Sequence, residues 1–578
     1  MCLKVISLGF IGIAAPVAMA QSGAAPTNPV DFDKLRDARA WSTFAGGPTR
    51  VAVAPVGTQG PSLLTSPRFV FDGDDKQNFV FYGQTAVAMT DELVIAIGYE
   101  SDFFGIRIPG EPGNIDTDAN SDVPDSTTNA GQSGFDGATT TPDSYQQPVG
   151  SDVVVAFSRS DGSLRWVSEV PIALLDSWSA PCVDIARNSV LVATGTKICA
   201  ISLDDGSELW RVSLDNLVVN ATPVVTDDLP GRNRAFITDH SFASGAEGNL
   251  FCINVDPYHP TLNPYKPGEL VWIVDLDGQT SGSTPAYRDG LVYVATASGG
   301  SQWDQGTIQA IPANTDSPPL QTWVYEHTAP AGFFSGVAVT NNGVYASSYS
   351  FTGDQFSAQT VRLNRYDGQQ VWSVPTNRTD TTPVPFGDQF VLVSGGVPFS
   401  SQFPAFGSLP SLQLIVETSF GAAARVWDSA LDTLDDTNHN YAWDPGEDFL
   451  SLGGWTIQPA VLEIGGKHYA YVGTTPDPTG PDGFFGASPE LALIDLSKHP
   501  ADHGFVVQWG MGSGASPALA GTELYTVGAE GVFAYGAPAM PIERVVALWT
   551  SGTLPDYNAD GVADLVDLGI AMEHAQDR

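Results

Sequence analysis

Between about residues 84 and 536 the chain alternates short apolar runs with polar turns, and no helical period runs through it. One pattern recurs. Val153-Val154-Val155-Ala156-Phe157 is followed by Asp161-Gly162-Ser163 and then Leu164-Arg165-Trp166. Ile201 to Trp210 repeats it through Asp205-Gly206, and Leu363 to Trp372 through Asp367-Gly368. The tryptophans of this kind are Trp166, Trp210, Trp272, Trp323, Trp372, Trp427 and Trp509. After each come a small residue or proline, a short apolar strand, a polar turn and a second apolar strand. Ala221-Thr222-Pro223, Ser283-Thr284-Pro285 and Thr381-Thr382-Pro383 open three of these stretches. β-Branched and aromatic runs bounded by Gly, Asp and Asn predict strands joined by tight turns. A tryptophan at one place per unit predicts a packing residue between sheets rather than a stacking platform for a ligand.

Successive tryptophans lie 44, 62, 51, 49, 55 and 82 residues apart, by subtraction of their positions. A four-stranded propeller blade takes roughly 40–50 residues. The longer intervals therefore predict insertions at 257–266 and 431–450, and the first unit holds another at 101–150. An eighth unit lies upstream. Phe69-Val70-Phe71 stands where its tryptophan would be, and 84–89, 93–98 and 153–157 supply its strands. The fold class predicted is all-β, an eight-bladed β-propeller of four-stranded antiparallel blades over 41–536, with seven blades as the alternative. Closure of such a ring removes exposed sheet edges.

The repeat resembles the pyrroloquinoline-quinone-type propeller repeat. In that repeat an apolar strand with a central Ala is followed by Asp or Asn, then Gly, then Trp, and Trp41-Ser42-Thr43-Phe44-Ala45-Gly46-Gly47-Pro48-Thr49-Arg50 is similar to the segment that often opens such proteins. The resemblance spans roughly 41–536. It implies a family that includes quinoprotein alcohol dehydrogenases and non-catalytic members such as the lipoprotein of the outer-membrane β-barrel assembly machine. Quinone-dependent members usually carry two adjacent cysteines against the cofactor. No two cysteines are adjacent here, and no haem-type Cys-x-x-Cys-His occurs. Pyrroloquinoline quinone is therefore not expected.

The N terminus adds a compartment. Residues 1–20 read as a signal peptide: Lys4, an apolar run from Val5 to Ala15, then Ala18-Met19-Ala20. The run is too short to span a membrane, and no later segment reads as transmembrane. A secreted or periplasmic, cell-envelope location follows, with 21–40 as a flexible lead-in. Removing Lys4 leaves 24 basic against 65 acidic residues, a net charge of −41. That charge argues against nucleic acid and anionic membrane partners. Cys182, Cys199 and Cys252 remain. Cys199 and Cys252 read as equivalent strand positions, and Cys182 could pair with Cys199 in an oxidising compartment.

Two insertions carry cation chemistry. Asp436, Asn438, Asn440, Asp444 and Glu447 place oxygens at positions 1, 3, 5, 9 and 12 of a loop, with the carbonyl of Ala442 at position 7. This spacing wraps a hard cation such as calcium, although Tyr441 stands where such loops usually have Gly. At the C terminus Asp556, Asn558, Asp560, Asp564 and Asp567 repeat the spacing, with Val562 offering the carbonyl and Gly561 the turn. The second loop resembles half of a dockerin or a single EF-hand-like unit. Helices over 542–550 and from Leu565 would flank it, making 541–578 a small α-helical calcium-loop appendage. A dockerin normally has two such loops, and one is present. Asp116, Asp118, Asn120, Asp122 and Asp125 alternate without a closing geometry.

Hydrolase and nucleotide motifs of the His-Glu-x-x-His, Gly-x-Ser-x-Gly and phosphate-loop kinds do not occur. His499 and His503 are four apart, but Pro500 and Gly504 make that stretch a turn short of zinc ligands. The function read from the sequence is a non-catalytic, calcium-stabilised scaffold that binds a protein or a cell-surface polymer. The alternative is a quinone-dependent oxidoreductase that lost or replaced its cysteine pair.

Overall fold

The computed structural model describes residues 41–54, 58, 60–61, 64, 66–73, 78–81, 85–101, 152–169, 179–241, 247–277, 279–298, 305–327, 331–349, 355–396, 408–419, 421–439, 447–475, 488–528, 531–536, 549–550 and 552. They form eight antiparallel blades, as the repeats predicted, and not seven. In blade 1, Asn78–Phe81 and Ala88–Met89 both pair with Leu93–Ser101, which pairs with Asp152–Ser158 and then Leu164–Glu169. Blade 2 runs Cys182–Asp184, Ser189–Thr194, Lys197–Ser202, Glu208–Ser213. Blades 3 to 7 repeat this meander and start at Val224–Val225, Ala286–Arg288, Ala338–Val339, Val384–Phe386 and Ala460–Ile464. Helix among the described residues is confined to two single 3-10 turns and the pair Trp549 and Thr550.

Blade 8 closes the ring. Ala515–Ala520, Glu523–Gly528 and Gly531–Tyr535 supply three strands, and Phe69–Phe71 supplies the fourth, with Phe69 opposite Ala534 and Phe71 opposite Val532. Phe69 thus occupies the tryptophan position of blade 8, while 84–89, 93–98 and 153–157 belong to blade 1 beside Trp166. The seam is pinned by Glu523, which is fully buried. Arg68 Nη2 donates to its Oε1 at 3.0 Å, Tyr525 Oη at 2.7 Å, and Arg159 Nη2 to its Oε2. Arg159 lies in the turn between the third and outer strands of blade 1, so the ion cluster ties blade 8 to blade 1.

Apolar side chains alternate along each strand, so both faces of every blade pack against a neighbour. One layer joins blades 1 and 2 through Val154, Trp166, Val190 and Cys199. The next joins blades 2 and 3 through Leu191, Ala200, Ala235 and Phe251. The same residues explain the cysteines. Cys182 pairs with Leu191 and faces the second layer, whereas Cys199 faces the first. They lie on opposite faces of one sheet, and all three described cysteines are free and buried. Nor are Cys199 and Cys252 equivalent. Cys252 lies opposite Trp272, but Ala200 lies opposite Trp210. The two positions differ by one residue, which in a strand means the other face.

Apart from Trp509, the repeated tryptophans pack against the third strand or the third-to-outer turn of the following blade. Trp166 Nε1 donates to Leu203 O at 2.8 Å, Trp272 to Thr315 O at 3.1 Å and Trp323 to Arg365 O at 3.0 Å. Gly206 sits in such a turn with φ +74°, and a Cβ there would fall 2.7 Å from the Trp166 ring. A left-handed turn under an indole leaves room only for glycine. Gly162 faces Phe69 in the same way, which is the physical basis of the Phe69 substitution.

Candidate functional site

The inner strands bound the axis, and the residues just before them form a belt. Thr222 Oγ1 accepts from Ala180 N at 3.0 Å, and Thr284 Oγ1 accepts from Thr222 N at 3.2 Å. Gln458 Oε1 accepts from Thr382 N at 2.8 Å while its Nε2 returns a bond to Thr382 O. The side chains before Pro223, Pro285 and Pro459 thus satisfy backbone of an adjoining blade, which a proline-bearing strand cannot do for itself.

The N-terminal segment fills the channel inside this belt. Trp41 O accepts from Met89 N, Ser42 O from Val183 N, Pro48 O from Tyr287 N and Thr49 O from Val339 N, all at 2.8–2.9 Å. Ala52 O accepts from Val461 N, and Ala54 N donates to Val461 O. Blades 1, 2, 4, 5 and 7 are therefore bonded through the axis. Arg50 anchors the segment. It is fully buried, and all five of its N–H groups are used. Nε donates to Pro285 O, Nη1 to Thr43 Oγ1 and Phe44 O, and Nη2 to Pro223 O and Thr222 O. Burial lowers its pKa to about 10, so the side chain stays cationic at neutral pH, held by carbonyl dipoles rather than by a carboxylate. Ala45, Arg50 and Ala52 have positive φ, a strained backbone that the surrounding bonds hold in place.

Above Phe44 a cavity of about 30 Å³ remains, lined by Asn220, Thr284, Phe334, Asp380, Thr381 and Thr456 among others. Such a volume holds a water molecule or two. Asp380 opens partly onto it. Burial pushes its carboxyl up to about 7, against the lowering effects of the Trp455 hydrogen bond and the Arg378 charge. Asn220 Nδ2 approaches Asp380 Oδ2 at 3.5 Å. Asn220 Oδ1 and Asp380 Oδ1 are buried acceptors without a hydrogen-bond partner among the described residues. Nearby, Phe334 packs on His240 and Tyr349, and Tyr349 on Trp455. Desolvation takes His240 down to about 3, so it is neutral.

The family resemblance implies a planar quinone at the axis. Among the described residues the inner segment runs through the channel, the cavity beside Phe44 is water-sized, and the sequence has no adjacent cysteines. The internal loop expected to hold calcium is described only at its ends. There Glu447 Oε1 accepts from Thr437 N at 2.8 Å and Thr437 Oγ1 at 2.9 Å, and Asp435 N donates to Asp448 O, so position 12 folds back beside positions 1 and 2. Asp436, Asn438 and Glu447 are brought to one loop mouth. Asn440, Ala442 and Asp444 lie outside the described residues, as do Asp556, Asn558, Asp560, Val562, Asp564, Asp567, the 116–125 stretch and the signal peptide. No group of three or more His, Cys, Asp or Glu is placed to hold a metal among the described residues. His499 and His503 lie in a turn, with His499 Nε2 3.4 Å from Asp432. Pattern reading found neither Arg50 nor the Asp380–Asn220 pair. The one sequence cue was Thr-Asp-Thr-Thr-Pro at 379–383, a carboxylate set just before an inner strand.

Fold and repeat together define an all-β, eight-bladed propeller. The family whose model matches, over residues 150–230 and 238–395, is described as outer membrane protein assembly factor BamB. BamB from Moraxella catarrhalis is 15% identical, with 66% of this chain and 90% of that one covered and a TM-score of 0.41. A europium-containing methanol dehydrogenase is 11% identical over 94% of this chain and 97% of its own, with a TM-score of 0.45. The quinohemoprotein alcohol dehydrogenase from Comamonas testosteroni is 10% identical over 77% and 79%, with a TM-score of 0.40. No curated protein matches the chain. No described helix is long and apolar enough to cross a membrane.

Proposed function

We propose that the protein is a secreted or envelope-associated binding scaffold without catalysis of its own, presenting rim loops to a protein or a surface polymer. The observation that carries this reading is the axial segment anchored by Arg50. It takes the place where a propeller of this type would seat a cofactor, and leaves function to the loops at the rim. The test is reconstitution with pyrroloquinoline quinone and calcium, then desalting. The expected result is no retained quinone absorbance and no dye-linked alcohol oxidation; stoichiometric retention sinks the scaffold reading. One observation favours the alternative, a quinone-dependent oxidoreductase. Asp380 is a buried carboxyl poised near neutrality on the axial cavity, the setting of a general base. The same desalting experiment separates the two.

Calcium belongs to the scaffold reading. The carboxylates of 556–567 repel one another without a cation, and the same holds at 436–447. Extracellular modules of this kind bind calcium at about 10⁻⁴–10⁻³ M. Calorimetry should show Asp560→Ala losing one calcium ion relative to wild type. Equal stoichiometry would make the C-terminal loop a solvated acidic turn.

A further inference from the structure

The tryptophan of blade 7 breaks the packing rule of the others. Trp166, Trp272, Trp323, Trp372 and Trp427 are 3–8% exposed, each under the turn of the next blade. Even where no glycine lies beneath the ring the cover is there: Phe505, from the blade 7 turn, meets Trp427 edge-on at 5.5 Å. Trp509 is 42% exposed. The cause is topological. Blade 8 takes its outer strand from Phe69–Phe71, so no turn leads from Gly531–Tyr535 into that strand, and among the described residues nothing of the kind lies over Trp509. Val507, at the bulge in this strand, and Met511, two residues past Trp509, are exposed as well, at 51% and 66%. Among the described residues the incoming chain meets the far end of this face, where Met511 N donates to Leu64 O at 2.9 Å.

The chain also leaves the propeller at this spot. Tyr535 Oη donates to Met511 O, and a side chain at Gly512 would strike Phe533 and Tyr535. The C-terminal residues after Gly536 therefore start beside the bare face. In their sequence Ile542, Val545, Val546 and Trp549 fall at the i, i+3, i+4, i+7 spacing of an apolar helical stripe. Trp549 and Thr550 are helical, and Trp549 is itself half-exposed. The link from Gly536 to Ile542 can span up to about 20 Å at ~3.3–3.6 Å per residue, enough to lay such a stripe on the adjacent strand. Carboxylates are few on both surfaces: Glu543 alone lies within 541–550, and none lies within 506–511. We propose that segment 541–550 docks on the Val507–Trp509–Met511 face of blade 7 and gives Trp509 the cover that a turn gives the other tryptophans. This holds whether the propeller is a scaffold or an enzyme.

Hydrogen exchange on the full-length protein tests it. Segment 541–550 is expected to be protected, and Trp509→Ala to speed its exchange by about tenfold or more while blades 1–6 keep their protection. Ile542→Asp, outside the blades and harmless to their folding, is expected to do the same and to deprotect 507–511. Coil-like exchange of 541–550 in wild type overturns the proposal, as does unchanged protection in Ile542→Asp. So does a face at 507–511 that is protected only at high concentration with a doubled sedimentation mass, because a second copy then covers it.

Discussion

The seams inside the ring and the seam that closes it use the same strands but are held in different ways. Inside, the chain runs from third to outer strand through a turn, and the turn of one blade caps the tryptophan of the blade before. At the closure there is no such turn. Phe69–Phe71 arrives from the far end of the chain, Glu523 binds Arg68 and Arg159, and a single apolar layer runs through blades 6, 7, 8 and 1. Chain continuity supplies the cap; where continuity fails, a buried ion cluster and a shared core supply the hold. Such a cluster specifies one partner strand, since only Phe69–Phe71 carries Arg68 at its head.

The largest effect should come from the ion cluster. Glu523→Ala strands two buried guanidinium groups and is expected to cost about 3–5 kcal/mol. Chemical denaturation checks this, and an unchanged midpoint would mean that the closing seam is held by its core alone. Next comes the contrast of two tryptophans. Trp323→Ala should cost about 3–5 kcal/mol, and Trp509→Ala, which has no blade turn over it, less. Equal losses would show that the cap of the next blade contributes little. A smaller effect separates cap from backbone. Gly206→Ala meets the Trp166 ring and a left-handed φ and should cost about 2–3 kcal/mol, whereas Gly290→Ala, φ +80° in open space, should cost about 1 kcal/mol. The smallest concerns the axis, which lies on neither kind of seam. The Asp380 carboxyl titrates higher in the folded protein, about 7, than in the unfolded chain. The folded state then holds the extra proton, so this group's stabilising contribution is present below the unfolded pKa and lost as pH rises through about 7. Asp380→Asn should flatten that slope and raise the melting temperature at pH 8 by about 2–4 °C, read by thermal scans at pH 5 and 8.

The blades were legible because their cause is local. A tryptophan, an Asp-Gly turn and two apolar runs recur within one unit, and Phe69 could stand in for tryptophan because both present a ring to the next turn. The register of the cysteines was not legible. Cys199 lies one residue before the counterpart of Cys252, and only the pairing of each third strand with its tryptophan strand shows this. The axial site was less legible still. Arg50 sits among Gly, Pro and Thr with no period, and the carbonyls it serves at 222, 223 and 285 look like any others in the sequence. Asp380 and Asn220 meet only because the ring brings the ends of two distant blades to one axis.

The closure also sets a schedule for folding. Arg68 and Glu523 are 455 residues apart in sequence, and Phe69 finds its partner strand only once the last blade exists. Pairing across such a separation carries a large loop-closure entropy and belongs with slow, high-contact-order folding. Until residues 531–535 emerge, the strand at Phe69–Phe71 has no neighbour and the growing stack ends in an open sheet edge, the kind of surface that recruits other chains. A nascent copy of this protein is therefore most vulnerable to aggregation just before the last blade is complete, and a truncation of only the final strand should be more damaging than its length suggests.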